Sequence, residues 1–97
     1  MKVTEYIKKL RKDKGLLLRE LASALSMDQA ILCKIEKGER KATKAQILAI
    51  SKYFQIQKDE LKILWLSDRI IYELKEDREL AQKVLKVSKN RIQNSES

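Results

Sequence analysis

The sequence predicts an all-α protein, and three observations carry that prediction. Its 97 residues contain no Pro and only two Gly, so long stretches are free to be helical. Its apolar residues are mostly Leu, Ile and Ala, with only 5% aromatic. They recur at three- and four-residue intervals rather than alternating. At this length one domain, or one domain with an appended segment, is expected.

The elements follow in order. Tyr6, Ile7, Leu10 and, weakly, Lys14 share one helical face, beginning at about Thr4 and stopped by Gly15. Leu18, Leu21, Ala22 and Leu25 form a second, short helix, interrupted at Ser26-Met27. Asp28 is a good N-cap for a third, in which Ile31, Leu32 and Ile35 face inward. Gly38 ends that helix. Thr43-Lys44-Ala45-Gln46 reads as a capping box ahead of Ile47, Leu48, Ile50, Ser51 and Phe54. After a break at Gln55–Gln57 a longer helix is predicted over Lys58–Leu74. A last one, capped by Asp77, carries Leu80, Val84, Val87 and Arg91.

Charge narrows the function. The chain has 22 Lys and Arg against 14 acids and no His, a net +8. Residues 1–57 hold 13 bases and 6 acids, whereas residues 58–97 hold 9 and 8. The positive field therefore belongs to the first part, as expected for a surface that meets a polyanion. One Cys excludes an internal disulfide, and without His a zinc site is not expected. Nothing suggests a cofactor: no Gly-rich phosphate loop and no nucleophile–base pair is present, so an enzyme is not expected. No apolar run approaches the roughly 20 residues of a membrane span. The amino terminus is quickly charged, unlike a signal peptide. A reduced, cytoplasmic setting is expected, in the company of a bacterial or phage nucleoid.

The segment from Leu18 to Lys37 has the spacing of a helix-turn-helix. Ala22 is small where two short helices must cross. Leu21, Leu25, Met27, Leu32 and Ile35 fall where the packing side chains belong. Ser26 occupies the turn position that needs positive φ, at a cost on the order of 1 kcal/mol relative to Gly. The blocks Leu10-Arg11-Lys12-Asp13-Lys14-Gly15-Leu16, Glu20-Leu21-Ala22 and Lys34-Ile35-Glu36-Lys37-Gly38-Glu39-Arg40 follow in order. Ile47-Leu48-Ala49-Ile50 and Asp59-Glu60-Leu61 complete the set. Over about residues 4–62 the chain thus resembles the Cro/Xre family of helix-turn-helix regulators, which includes phage repressors and restriction–modification controllers.

That resemblance implies a lambda-repressor-like domain of four to five short helices with an added C-terminal helix. It implies binding to double-stranded DNA, with the third helix in the major groove. Gln29, Ala30, Cys33 and Lys34 match base-facing positions. Gln suits adenine, and Lys suits guanine O6 and N7. Asp28, Lys37, Arg40, Lys41 and Thr43 match the phosphate-facing set. Arg11 and Glu36 match a family ion pair that ties the first helix to the third. Four positions depart from the pattern. Leu17 replaces a Ser or Thr cap, Leu18 a phosphate-contacting Gln, Ala42 a Pro, and Glu39 puts an acid beside the phosphate grip. Somewhat weaker or differently anchored DNA binding is therefore expected.

Other residues have plainer readings. Lys8–Lys14 is a solvated helix face, Leu16-Leu17-Leu18 is packing, and Cys33 is a small residue where relatives carry Ser. The segment Lys58–Leu74 has more apolar surface than one helix face uses. Either the last helix folds back to cover it, or a second copy does. The second is the preferred expectation, with Leu64, Trp65, Ile70, Ile71 and Leu74 at the homodimer contact. The expected organisation is a DNA-binding domain over 1–62, a dimerising helical extension over 63–93, and a disordered tail over 94–97. The function expected is transcriptional repression or autoregulation at a pseudo-palindromic operator. The alternative is an antitoxin or other protein-binding module on the same fold.

Overall fold

The computed structural model describes residues 1–57 and 59–94, and among these it holds six α-helices and no strand. They are α1 (Val3–Asp13), α2 (Leu18–Ala24), α3 (Gln29–Glu36), α4 (Lys44–Phe54), α5 (Glu60–Glu73) and α6 (Ala81–Gln93). A one-turn 3-10 helix, Arg78–Leu80, precedes α6. The expected start at Lys58 and the tail from Ser95 onward lie outside the described residues.

Each boundary has a local cause. α1 begins a residue before Thr4, because the Glu5 carboxylate reaches back 3.0 Å to the Lys2 N–H and caps the helix at Lys2. Gly15 stops it at φ 69°, letting the Leu16 N–H close onto the Arg11 carbonyl at 3.1 Å. At α2, Leu17 offers no side-chain acceptor. Glu20 compensates by accepting the Leu17 N–H at 2.8 Å. α4 carries the full reciprocal box. Thr43 Oγ1 accepts the Gln46 N–H at 3.1 Å, and Gln46 Oε1 accepts the Thr43 N–H at 2.9 Å. Asp77 does not cap α6 with its side chain. Its carbonyl instead accepts the Leu80 N–H at 2.9 Å, so the 3-10 turn forms first and α6 starts later.

Ser26 and Gln55 are the non-Gly residues with positive φ among those described, both at 52°. Ser26 makes the sharp exit from α2, with the Met27 N–H bonded to the Ala22 carbonyl at 2.8 Å. A left-handed L-residue costs about 1–2 kcal/mol, which Gly largely avoids. Ser26→Gly is therefore expected to stabilise the fold by about 0.5–1 kcal/mol, read as a higher urea midpoint at unchanged m-value. An unchanged midpoint would show that the turn is not strained.

Two buried clusters organise the chain. The larger joins Val3 and Ile7 of α1, Ile35 of α3, Ala42 of the following loop, Ile47 and Ile50 of α4, and Leu61 of α5. The smaller joins Leu21 and Ala22 of α2 to Leu32 of α3. Leu25, Met27 and Phe54 pack against both and fuse them. α3 is thus gripped from two sides: Ile35 enters one cluster and Leu32 the other.

α5 is tied to the rest by three polar contacts. Tyr6 donates its hydroxyl to Glu60 at 2.7 Å, and that carboxylate raises the phenol above its ordinary pKa. The Val3 N–H donates to Asp68 at 2.8 Å, and Trp65 Nε1 donates to the Ala42 carbonyl at 2.9 Å. α6 differs, since none of its residues is buried. It does not fold back to cover α5. The radius of gyration of 15.7 Å exceeds the roughly 13 Å of a compact chain of about this length, consistent with a helix standing away from the core.

Candidate nucleic-acid interface

The site is built on α3, whose sequence sets its own start and its own face. Asp28 Oδ1 accepts the N–H groups of Ala30 and Ile31 at 2.8 and 3.2 Å, fixing the first turn. Leu32 and Ile35 are fully buried, so the residues between them must turn outward. Gln29, Ala30 and Lys34 are exposed, and Cys33 is half-buried beside them. All four base-reading candidates therefore lie on the outer side of one helix, with Lys37 exposed just beyond its end.

Arg11 and Glu36 set the angle of this helix against α1. Arg11 Nε and Nη2 meet the two Glu36 oxygens at 2.8 and 3.0 Å, a bidentate pair. Nη1 donates to the Leu16 carbonyl at 2.8 Å, so the same guanidinium also pins the α1–α2 turn. The side chains are only 13% and 6% exposed. The hydrogen bond to Glu36 raises the Arg11 pKa further, despite opposing desolvation. The guanidinium is charged at any working pH in either case, so the pair acts through geometry.

The phosphate-facing candidates divide. Gly38, at φ 77°, folds the chain so that the Glu39 and Arg40 N–H groups both reach the Lys34 carbonyl, at 2.9 and 3.3 Å. Arg40 is left exposed on that turn, and Thr43 is exposed at the start of α4. The Gln46 N–H is taken by Thr43, which leaves the Lys44 and Ala45 N–H groups at the helix start facing outward for an anion. Two candidates behave otherwise. Asp28 spends its carboxylate on capping and, being anionic, offers a phosphate nothing; it shapes the helix start. Lys41 turns toward α5, with its ammonium 4.0 Å from the centre of the Tyr72 ring. Lys75 approaches the same ring at 4.1 Å. Sequence periodicity held no signal for this contact, since Lys41 and Tyr72 lie 31 positions apart.

The five dimer candidates also divide. Leu64 and Trp65 pack against the larger cluster of their own chain. Leu74 is half-buried. Ile70 and Ile71 are exposed, and so are Ile63 and Leu66, which were not among the five. The free apolar stripe on α5 therefore runs Ile63, Leu66, Ile70, at intervals of three and four residues.

A short helix, capped at its start and anchored through two cores, shows a polar face on the basic part of the chain. Those features define a helix-turn-helix DNA-binding domain. A helix-turn-helix family model of the Cro/C1 type matches residues 7–61, more than half of the chain, and the protein belongs to that family. It is a DNA-binding helix-turn-helix regulator with the all-α fold of that family, whose members are not typically enzymes. No curated protein and no solved structure matches the chain. Among the described residues no helix is long and apolar enough to cross a membrane, and no cluster of ligating side chains could hold a metal ion.

Proposed function

We propose that the protein is a sequence-specific repressor or autoregulator that reads a pseudo-palindromic operator as a homodimer. The observation that carries this reading is the outer face of α3, where Gln29, Ala30, Cys33 and Lys34 lie together on a rigidly held helix. Gln29 pairs with adenine and Lys34 with guanine, each worth about 1–3 kcal/mol of discrimination. Lys37, Arg40 and Thr43, with the start of α4, grip the flanking phosphates and fix the register. Residues 1–62 form the reader and residues 63–93 the dimerising extension, acting on cytoplasmic DNA. Twofold symmetry then sets the two α3 helices about 34 Å apart, one turn of duplex.

Roles within the site separate by substitution. Lys34→Ala is expected to relax base preference at one position of each half-site, by about 1–3 kcal/mol. Arg40→Ala is expected to weaken every sequence alike and to lower the salt slope of binding by about 0.9 per phosphate lost. Titrations of operator and scrambled duplexes across a salt series read both. Equal losses on both duplexes for both variants would contradict the assignment.

A protein-binding role, as in an antitoxin, is the second reading, and the uncovered apolar residues of α5 and α6 are what favour it. Purification from its own host distinguishes the two. A stoichiometric heterologous partner supports the second reading, and a pure dimer with operator affinity supports the first.

A further inference from the structure

Beside the loop that follows α3 lies a groove of about 890 Å³, walled by the start of α1, residues 38–42 and the C-terminal half of α5. Its charge is lopsided. Lys2, Arg40, Lys41, Arg69 and Lys75 line it, against Glu5 and Asp68. Both acids are already engaged with backbone N–H groups, Glu5 with Lys2 and Asp68 with Val3. None of the five cations is ion-paired with a described carboxylate. Three of them rest instead on aromatic rings: Lys41 and Lys75 over Tyr72, and Arg69 over Trp65 at 5.1 Å. A ring quadrupole holds an ammonium in place without neutralising it. Two ammonium groups gathered at one ring repel each other, and an anion close to both relieves that repulsion. The groove is thus arranged to present charge, not to consume it.

Its position says which anion. Arg40 and Lys41 belong both to the groove and to the loop next to the DNA-reading helix, so a duplex lying along α3 brings its backbone to the groove mouth. We infer that Lys75, on the C-terminal extension and held by Tyr72, binds a backbone phosphate of the same duplex that α3 reads, together with Lys41. This rests on the DNA-binding reading and extends its contact surface from the helix-turn-helix onto α5. Tyr72 is the positioning residue: its ring keeps both ammonium groups at the groove mouth. The missing family anchor at Leu18 gives the extension a reason to supply one.

The test compares Lys75→Ala, Tyr72→Ala and Tyr72→Phe with Lys86→Ala, which removes an equal charge from exposed α6. Binding to the selected operator is measured against salt, with phosphate-ethylation interference on the same duplex. Lys75→Ala is expected to lower the slope of log K on log salt by about 0.9 per contact in each bound chain. It should also erase one interference position per half-site. Tyr72→Ala should do the same in part, while Tyr72→Phe and Lys86→Ala keep the wild-type pattern. All three sites are exposed, and an unchanged thermal midpoint confirms that folding is intact. If the wild type binds DNA but Lys75→Ala behaves as Lys86→Ala does, the groove assignment is overturned and the α3 reading stands. If the wild type binds no duplex, both fall.

Discussion

Glu36→Ala is expected to destabilise the domain by about 3–5 kcal/mol, because it leaves the Arg11 guanidinium buried without its carboxylate. That is a large share of the roughly 5–15 kcal/mol that holds a small domain together. The loss follows from burial as much as from attraction. Arg11 would keep one bond, to the Leu16 carbonyl, and two N–H groups would face a cavity. Replacing both partners is different in kind: Arg11→Met with Glu36→Leu removes the charges together, and stability should return to near the wild-type value. Operator affinity should not return with it, since the pair also fixes α3 against α1. Urea unfolding and operator titration on the two variants separate these effects. A single variant that loses less than about 1 kcal/mol would mean that water reaches the pair and that it behaves as a surface bridge.

Charging the free stripe of α5 is expected to affect DNA binding most. Leu66 and Ile70 are 41% and 48% exposed, so Leu66→Glu with Ile70→Asp removes little from the protomer's own core. In the proposed homodimer the same positions would meet their symmetry mates, and two carboxylates per chain would be driven together there. The expected product is a folded monomer with an unchanged thermal midpoint at low concentration. Operator affinity should fall by about 10²–10⁴-fold, the value of linking two half-site contacts. Non-specific binding per chain should hardly change. A doubly substituted protein that sediments and binds as the wild type does would place the dimer contact elsewhere, with α6 the next surface to test.

Much of the fold was legible in the sequence, because its punctuation is local. Gly15 and Gly38 end helices at positive φ, Ser26 takes the left-handed turn position, and Asp28 and Thr43 cap where they were expected to. These are contacts between residues two to five apart, which pattern and propensity encode directly. The inward face of α3 was legible for the same reason, and its burial pattern fixes the outward face. What was not legible is whatever joins distant segments. Nothing in the spacing of Trp65 shows that its indole N–H serves the Ala42 carbonyl, or that Leu64 belongs to the same core. Those two residues read as surplus apolar surface only while α5 is considered alone. Lys41 was assigned by resemblance to the phosphate grip. Its stacking on Tyr72 depends on where α5 lies, which no local rule contains. The expected cap at Asp77 failed because its backbone carbonyl, not its side chain, opens the 3-10 turn.

Selection of bound fragments from random duplex DNA tests the role of α3 most directly, since it reports sequence, symmetry and spacing together. Wild-type protein should enrich two inverted half-sites centred about one helical turn, roughly 10 bp, apart. The same selection with Lys34→Ala should lose preference at one base pair of each half-site and keep the rest. No enriched sequence, or an enriched sequence indifferent to Gln29 and Lys34, would contradict the assignment of α3 as the reader.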